Sequence, residues 1–425
     1  MANQVYGKFG ISDFPKFEHE NRVRKVQALM REKGIDCILL TCETNIGYFS
    51  GYRGSASVES VDYSPAFLVL SQEKPPTLIT YVSSRGNAEA MLAVGSAEYV
   101  YWDLAAALLK EPNKNETGIL NAVTKSIKNS LNPDNGKTIG IELGRGLHMG
   151  TSQETIDLLR KEFSKAKIVD ASEIIWACRK TKSQLEVEYL QRSAEITFTA
   201  YERAFSKARE GMSEREIARD VYRGILDEGG EDMPLKMFLN IRAGPERYTM
   251  CDTRPTDRKL RRGDILILDG GFKYRGYFSD VTRLLCVGNP SPKQRELFET
   301  ARGAEELGVR EMKAGVKAGD VWDIVMAFIR ESEHLKYSLY EGVGHGIGLD
   351  IHEPPRIASN SADVLEPGMV LTMEPCLYDE PVVNGILSGE GGINGEGVFF
   401  VEDEVIITTT GNTLLGKMSR DLYIV

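Results

Sequence analysis

The chain has 425 residues, 42% hydrophobic and 27% charged, the balance of a folded globular protein and not of a coiled coil or a disordered chain. Division by ~150 residues per domain predicts two or three domains. With 52 Lys and Arg against 62 Asp and Glu the formal charge is −10, which argues against a nucleic-acid face, and no apolar run reaches the ~18 residues of a membrane span.

The opening residues, Met-Ala-Asn-Gln-Val-Tyr-Gly-Lys, lack the apolar core of a signal peptide. Six cysteines without a CxxC pair (Cys37, Cys42, Cys178, Cys251, Cys286 and Cys376) point to reduced thiols and a cytoplasmic location. Glu20–Lys33 places Val23, Val26, Leu29 and Met30 at helical spacing, with Gly34 as the stop. Cys37–Leu40 reads as a buried strand. Phe67–Leu70 and Thr77–Thr80 flank a turn-rich segment like a hairpin, and Thr138–Leu143 reads as a further strand. Residues 1–178 are thus expected to form an α/β domain with a mixed sheet covered by helices.

A boundary is expected at Arg179-Lys180-Thr181-Lys182, before Ser183 and Glu186, which are spaced as a capping box. The following helix carries Val187, Leu190, Ala194, Phe198, Tyr201 and Phe205 on one face. From about residue 230 onward, strands rich in Ile, Leu and Val alternate with Gly/Pro turns, interrupted by two long helices near Ser291–Ala314 and Ala318–Glu333. Residues 179–425 therefore read as a second, α+β domain.

Four segments of that second part carry chemistry. Ile265–Leu268 ends in Asp269-Gly270-Gly271, and Ser279-Asp280-Val281 follows. A hairpin centred between Tyr274 and Arg275 would set Asp269 directly opposite Asp280, with Cβ atoms ~5 Å apart. Facing carboxylates in a half-buried sheet repel unless protons or cations lie between them. Gly342-Val343-Gly344-His345-Gly346-Ile347-Gly348 and His352 put two of only five histidines in one glycine-rich loop. The strand Val370–Met373 ends in Glu374, and Glu402 sits inside a second apolar strand. Taken singly, each acid is a solvated turn or strand edge. Together, four carboxylates and one imidazole suit Mn²⁺, Co²⁺, Fe²⁺ or Zn²⁺, and bridging carboxylates can hold two ions ~3.5–4 Å apart. His19, His148 and His334 have no patterned partner and read as surface groups, and Cys376 and Cys251 read as packing residues.

Over nearly its whole length the chain resembles the pita-bread metallopeptidases and their relatives: prolidase, aminopeptidase P, creatinase and methionine aminopeptidase. The resemblance rests on Asp269 and Asp280 eleven residues apart, on His345-Gly346-Ile347-Gly348 followed by His352, on Glu374-Pro375 and on Glu402-Asp403. It implies a pita-bread catalytic domain behind an N-terminal accessory domain of creatinase/prolidase type. It also implies five metal ligands, Asp269, Asp280, His345, Glu374 and Glu402. Asp280 and Glu402 would bridge two divalent ions, Mn²⁺ foremost, with Asp269 on one side and His345 and Glu374 on the other. Implied too are a hydrolase of Xaa-Pro dipeptidase or aminopeptidase P type, cleaving the amide bond of a small peptide through a metal-bridging hydroxide, Glu374 as proton acceptor, His352 in a hydrogen bond to the substrate or the tetrahedral intermediate, and a homodimer in which Trp102 or Tyr48 could reach a partner's pocket.

Two positions depart from the peptidase pattern. Asp252 stands where a substrate-contacting histidine is expected, and Phe400 where an arginine precedes the last glutamate. A carboxylate at Asp252 favours a cationic group. This motivates a second reading, a non-peptidase member of the same fold acting on a small, cationic molecule, as a creatinase-like C–N hydrolase or an osmolyte-degrading enzyme. Asp252 bonded to Arg254 or Arg258 is the plainer explanation. A third reading, a non-catalytic protein-binding relative, fits poorly with five retained ligands.

Overall fold

The computed structural model describes residues 12–54, 65–101, 118–131, 136–144, 146–147, 149–231, 238–250, 253–332, 338, 341–389 and 395–425. The chain divides into two compact units, Met1–Arg179 and Lys180–Val425. No described helix is long and apolar enough to cross a membrane. Cys251, Asp252, Trp102, His148 and His334 lie outside the described residues.

In the first unit, β1 (Cys37–Leu40), β2 (Ala66–Ser71), β3 (Thr77–Tyr81), β4 (Ser96–Val100), β5 (Thr138–Ile141) and β6 (Lys167–Asp170) form one sheet in the order β4-β3-β2-β1-β5-β6. β1 pairs antiparallel with β2 and parallel with β5. The unbroken run Cys-Ile-Leu-Leu of β1 suits a strand covered on both faces. Cys37, Leu39, Phe67 and Val69 join Val123, Ile127, Ile156 and Leu159 of two helices in one core, while Ile38, Leu40, Leu68 and Leu70 are buried on the other face. The helix Lys16–Lys33 starts four residues earlier than its apolar periodicity indicates and stops at Gly34, whose φ of 66° lets the Ile35 N–H reach the Met30 carbonyl.

His19 is not a surface group. It is buried, its Nδ1 lies 3.1 Å from the Tyr48 carbonyl, and burial lowers its pKa to about 3. Tyr48 is buried too: its hydroxyl donates to the Cys178 carbonyl and its ring stacks under Arg22. That position corrects the expectation that Tyr48 reaches a partner's pocket.

The second unit is α+β. Its helix Gln184–Lys207 begins with the capping box of Ser183 and Glu186. The strands are β7 (Phe238–Ala243), β8 (Ile265–Gly271), β9 (Lys273–Tyr274), β10 (Tyr277–Phe278), β11 (Val281–Cys286), β12 (Gly342–Gly346), β13 (Glu353–Ala358), β14 (Val370–Met373), β15 (Leu377–Tyr378), β16 (Val398–Phe399), β17 (Asp403–Thr408), β18 (Gly411–Leu414) and β19 (Tyr423–Ile424). Two larger sheets result, β19-β11-β8-β7 and β13-β12-β14-β17-β18. A bridge between Thr282 and Glu402 links them. One core joins Ile265, Ile267, Leu284 and Cys286 of the first sheet, Leu371, Met373, Val405 and Ile407 of the second, and Phe298 and Val325 of the helices Pro292–Glu311 and Ala318–Glu331.

The register of the first sheet corrects one expectation. Asp269 pairs with Thr282, not with Asp280. The hairpin turns at Arg275 and Gly276, both with positive φ (48° and 84°), and Tyr274 pairs with Tyr277. Two left-handed residues make the type I′ turn that matches strand twist, so the centre lies one residue later than the expected one. The slip moves the pairing by two residues, which keeps both aspartates on one face, now as diagonal neighbours.

Candidate metal centre

The carboxylates and the imidazole lie in or next to five strands, β8, β11, β12, β14 and β17. Asp269 continues the face of Ile265 and Ile267, so the pleat that buries those side chains also turns Asp269 inward. Asn240, opposite Asp269 on β7, donates from Nδ2 to Asp269 Oδ2 at 2.8 Å. The Thr253 N–H, the Thr253 hydroxyl and Arg242 in turn hold Asn240 Oδ1. Asp280 is buried just before β11, its N–H donating to Glu404 Oε1 at 2.6 Å. Glu402 lies ahead of β17 and not inside it. The Thr282 hydroxyl lies 2.9 Å from Glu402 Oε2 and 3.1 Å from Asp269 Oδ1, so its single proton serves either acid. Behind Glu402, buried Arg283 donates to Asp403 Oδ1 at 2.7 Å and to the Glu402 carbonyl at 2.9 Å. Burial disfavours the Asp403 charge, yet Arg283 and Arg420 hold its carboxyl below the usual range.

His345 lies on β12 and not in a loop. Its glycine neighbours are what allow a strand there: a Cβ on Gly344 would sit 2.3 Å from the Thr372 carbonyl oxygen, and one on Gly346 2.5 Å from that of Pro354. Gly344→Ala is therefore expected to cost about 2–3 kcal/mol and to displace His345. Calorimetry should show a lower Tm, and an unchanged Tm would contradict the packing. The His345 Nδ1 lies 3.0 Å from the Gly346 carbonyl, which can only accept. The proton therefore sits on Nδ1 and the Nε2 lone pair faces the site. Nε2 is 3.3 Å from Glu374 Oε1 and 3.6 Å from Asp280 Oδ2. Glu374 follows β14, its N–H held by the Val343 carbonyl.

Possible donor atoms of Asp269, Asp280 and Glu402 lie within 4.8 Å of one another, as do those of His345, Glu374 and Glu402, and those of Asp280, His345 and His352. His352 is exposed, and its ring centroid is 4.4 Å from that of His345. The five side chains expected to hold metal thus converge, with His352 beside them.

Charge crowding follows from the geometry. Burial, with Glu374 beside it, raises the Asp269 pKa to about 6 although Arg242 opposes the rise. Burial, then Asp269 and Glu374, push Asp280 well above the usual range. Burial, then Asp280, Glu374 and Asp269, do the same to Glu402. Asp280 Oδ1, His345 Nε2 and Glu402 Oε1 are buried without a hydrogen-bond partner. Orphaned acceptors around one point, hard oxygen donors plus one imidazole, fit divalent cations.

A cavity of about 430 Å³ opens over the cluster, lined among others by Arg242, His352, Arg356, Tyr378 and Phe400. Thus Phe400 borders the site as a buried apolar wall. Arg356 is exposed and pairs in register with His345 across β12 and β13. Sequence reasoning missed Arg242, Arg356, Asn240 and Thr282. A signal existed for two of them, since Asn240 and Arg242 alternate within an otherwise apolar strand bounded by Gly244. Arg356 carries no such signal, because only the pairing of β13 with β12 brings it to His345.

Residues 188–409 match Metallopeptidase family M24, and residues 22–181 match the Creatinase/Prolidase N-terminal domain. An Xaa-Pro dipeptidase of Pyrococcus furiosus is 28% identical over 407 residues, covering 95% of this chain and 99% of its own. The structure of an Xaa-Pro dipeptidase from Bacillus anthracis superimposes with a TM-score of 0.76 at 25% identity, covering 96% of this chain and all of that one. A prolidase structure from Thermococcus sibiricus, at 24% identity, shares the fold with a TM-score of 0.79 over 96% of this chain and 99% of that one.

Proposed function

The chain belongs to metallopeptidase family M24 and carries a creatinase/prolidase-type N-terminal domain, and from that premise we propose that it is an Xaa-Pro dipeptidase. As a member of that family it is a metal-dependent hydrolase. The observation that carries the substrate reading is the cavity, which has the carboxylate–imidazole cluster at its base and Arg356 in its wall. Arg356 offers a planar fork for the free C-terminal carboxylate of a dipeptide.

Asp269, Asp280, His345, Glu374 and Glu402 would hold two divalent cations. Manganese is the choice we favour for an oxygen-rich set. Bound there, the cations supply Lewis acidity and lower the pKa of water. Glu374, partly exposed to the cavity, accepts the proton of the attacking water and returns it to the leaving nitrogen. His352 donates a hydrogen bond to the substrate carbonyl as negative charge grows on it. Asn240 and Thr282 keep the acids oriented. A homodimer and a cytoplasmic location belong to the same reading. No disulfide joins the described cysteines Cys37, Cys42, Cys178, Cys286 and Cys376 to one another, which suits a reducing compartment. Sedimentation as a monomer would remove the dimer.

Against the alternative of a small cationic substrate stand Arg242 and Arg356 in the cavity wall, while Glu341 in the same wall is, among the described residues, the one carboxylate there outside the cluster. A panel of Leu-Pro, Leu-Pro-amide, creatine and betaine tests the choice with manganese-loaded protein. Leu-Pro is expected to be cleaved, its amide poorly. Arg356→Met should lower kcat/KM on Leu-Pro roughly 10–100-fold, the loss of a charge-assisted pair, and bring the two peptides close together. Cleavage of creatine or betaine with Leu-Pro untouched overturns the proposal.

A further inference from the structure

Arg242 has no use in the chemistry above, and its surroundings are unusual for a charge. It is 2% exposed, yet it lines the cavity. Its Nη1 donates to the neutral Asn240 Oδ1 at 3.0 Å, and its Nε is buried with no hydrogen-bond partner. It sits on β7, opposite Ile267, on the face that carries Asp269, and its charge acts on Asp269 without a direct ion pair among the described residues. Among the described residues no carboxylate pairs with the guanidinium, and a buried cation so placed favours an anion. The C-terminal carboxylate of a dipeptide is already assigned to Arg356, which lies on β13 at the edge of the other sheet.

We infer that Arg242 is a specificity-determining residue that receives a second carboxylate, the side chain of an acidic N-terminal residue, so that Glu-Pro and Asp-Pro are favoured substrates. This inference rests on the Xaa-Pro dipeptidase reading. The guanidinium supplies a fixed donor fork, and Asn240, locked by Thr253 and Asp269, holds that fork from one side. A neutral side chain of equal shape leaves the buried guanidinium unpaired, which makes the discrimination one of charge and not of size.

The test compares isosteres. In the manganese-loaded protein, kcat/KM for Glu-Pro over Gln-Pro, and for Asp-Pro over Asn-Pro, is expected to be about tenfold, the scale of one charge-assisted hydrogen bond. A second readout needs no turnover: calorimetric titration should show L-glutamate binding about tenfold tighter than L-glutamine. In Arg242→Met both ratios should fall to about one, and Arg242→Lys should keep part of each. Lys serves as the control for folding, with Tm and metal content measured in both variants. If the wild type cleaves Leu-Pro but shows neither ratio, or if the ratios survive in Arg242→Met, the inference is wrong while the dipeptidase reading stands. If no Xaa-Pro peptide is cleaved, the reading fails, and the glutamate titration still decides whether Arg242 holds an anion. Loss of the Leu-Pro over Leu-Pro-amide preference in Arg242→Met would reassign Arg242 to the C-terminus and overturn the proposal.

Discussion

Asp280→Ala is expected to lower kcat/KM on an Xaa-Pro dipeptide by roughly a thousandfold or more, the scale on which an electrostatic stabiliser of the reacting centre acts, and to reduce bound manganese per chain. Asp280 is 3% exposed, its N–H is tied to Glu404, its Oδ1 has no hydrogen-bond partner and its Oδ2 faces His345. Alanine therefore removes a donor that no neighbour can replace. The same change has the opposite effect without metal. Asp280 is among the charges that raise the Glu402 pKa, so deleting it relieves repulsion between buried carboxylates. Metal-free Asp280→Ala should melt above metal-free wild type, and the manganese-loaded variant below loaded wild type. Metal analysis, calorimetry and turnover measure all three. Full activity without bound metal would remove the mechanism.

Metal removal is expected to invert the pH dependence of stability. The unfolded Asp269 titrates near 3.8, the folded one near 6, and Asp280 and Glu402 shift the same way. For an acid whose folded pKa is raised, the folded state binds more protons between the two values, so stability falls as pH rises. The favourable contribution is whole below pH ~4 and is lost as pH passes through about 6 for Asp269 and higher for the other two. From Asp269 alone the loss is on the order of 3 kcal/mol, at 1.36 kcal/mol per pKa unit. Divalent cations remove the penalty by pairing with the ionised acids, and they bind best where protons no longer compete. The Tm drop on chelation should thus be small near pH 5 and large near pH 8. Equal drops at both pH values would show that the cluster does not hold the stabilising ions.

Much of the site was legible because its parts are local. A strand ending in Asp269-Gly270, a glycine-flanked His345 and acids at Glu374 and Glu402 each declare themselves within a few residues. Their resemblance to one family supplied the common purpose. The helix boundaries and the capping box at Ser183 were legible for the same reason, since caps and periodicity act over one or two turns. The hairpin register was less so, because it depended on whether Arg275 would accept a positive φ, a choice that the flanking strand twist decides. His19 was misread because a histidine's burial is set by Tyr48, twenty-nine positions away.

By itself the chain sequence determined which residue types end the strands, where the helices start and which acids are available to bind metal. Only the tertiary structure decided that Thr282 bridges two of those acids, that Arg356 lies opposite His345 and that Arg242 is buried beside the cavity. The physical reason is range: propensity and capping act along the chain, whereas strand pairing, burial and Coulomb repulsion act through space between residues that the sequence keeps far apart.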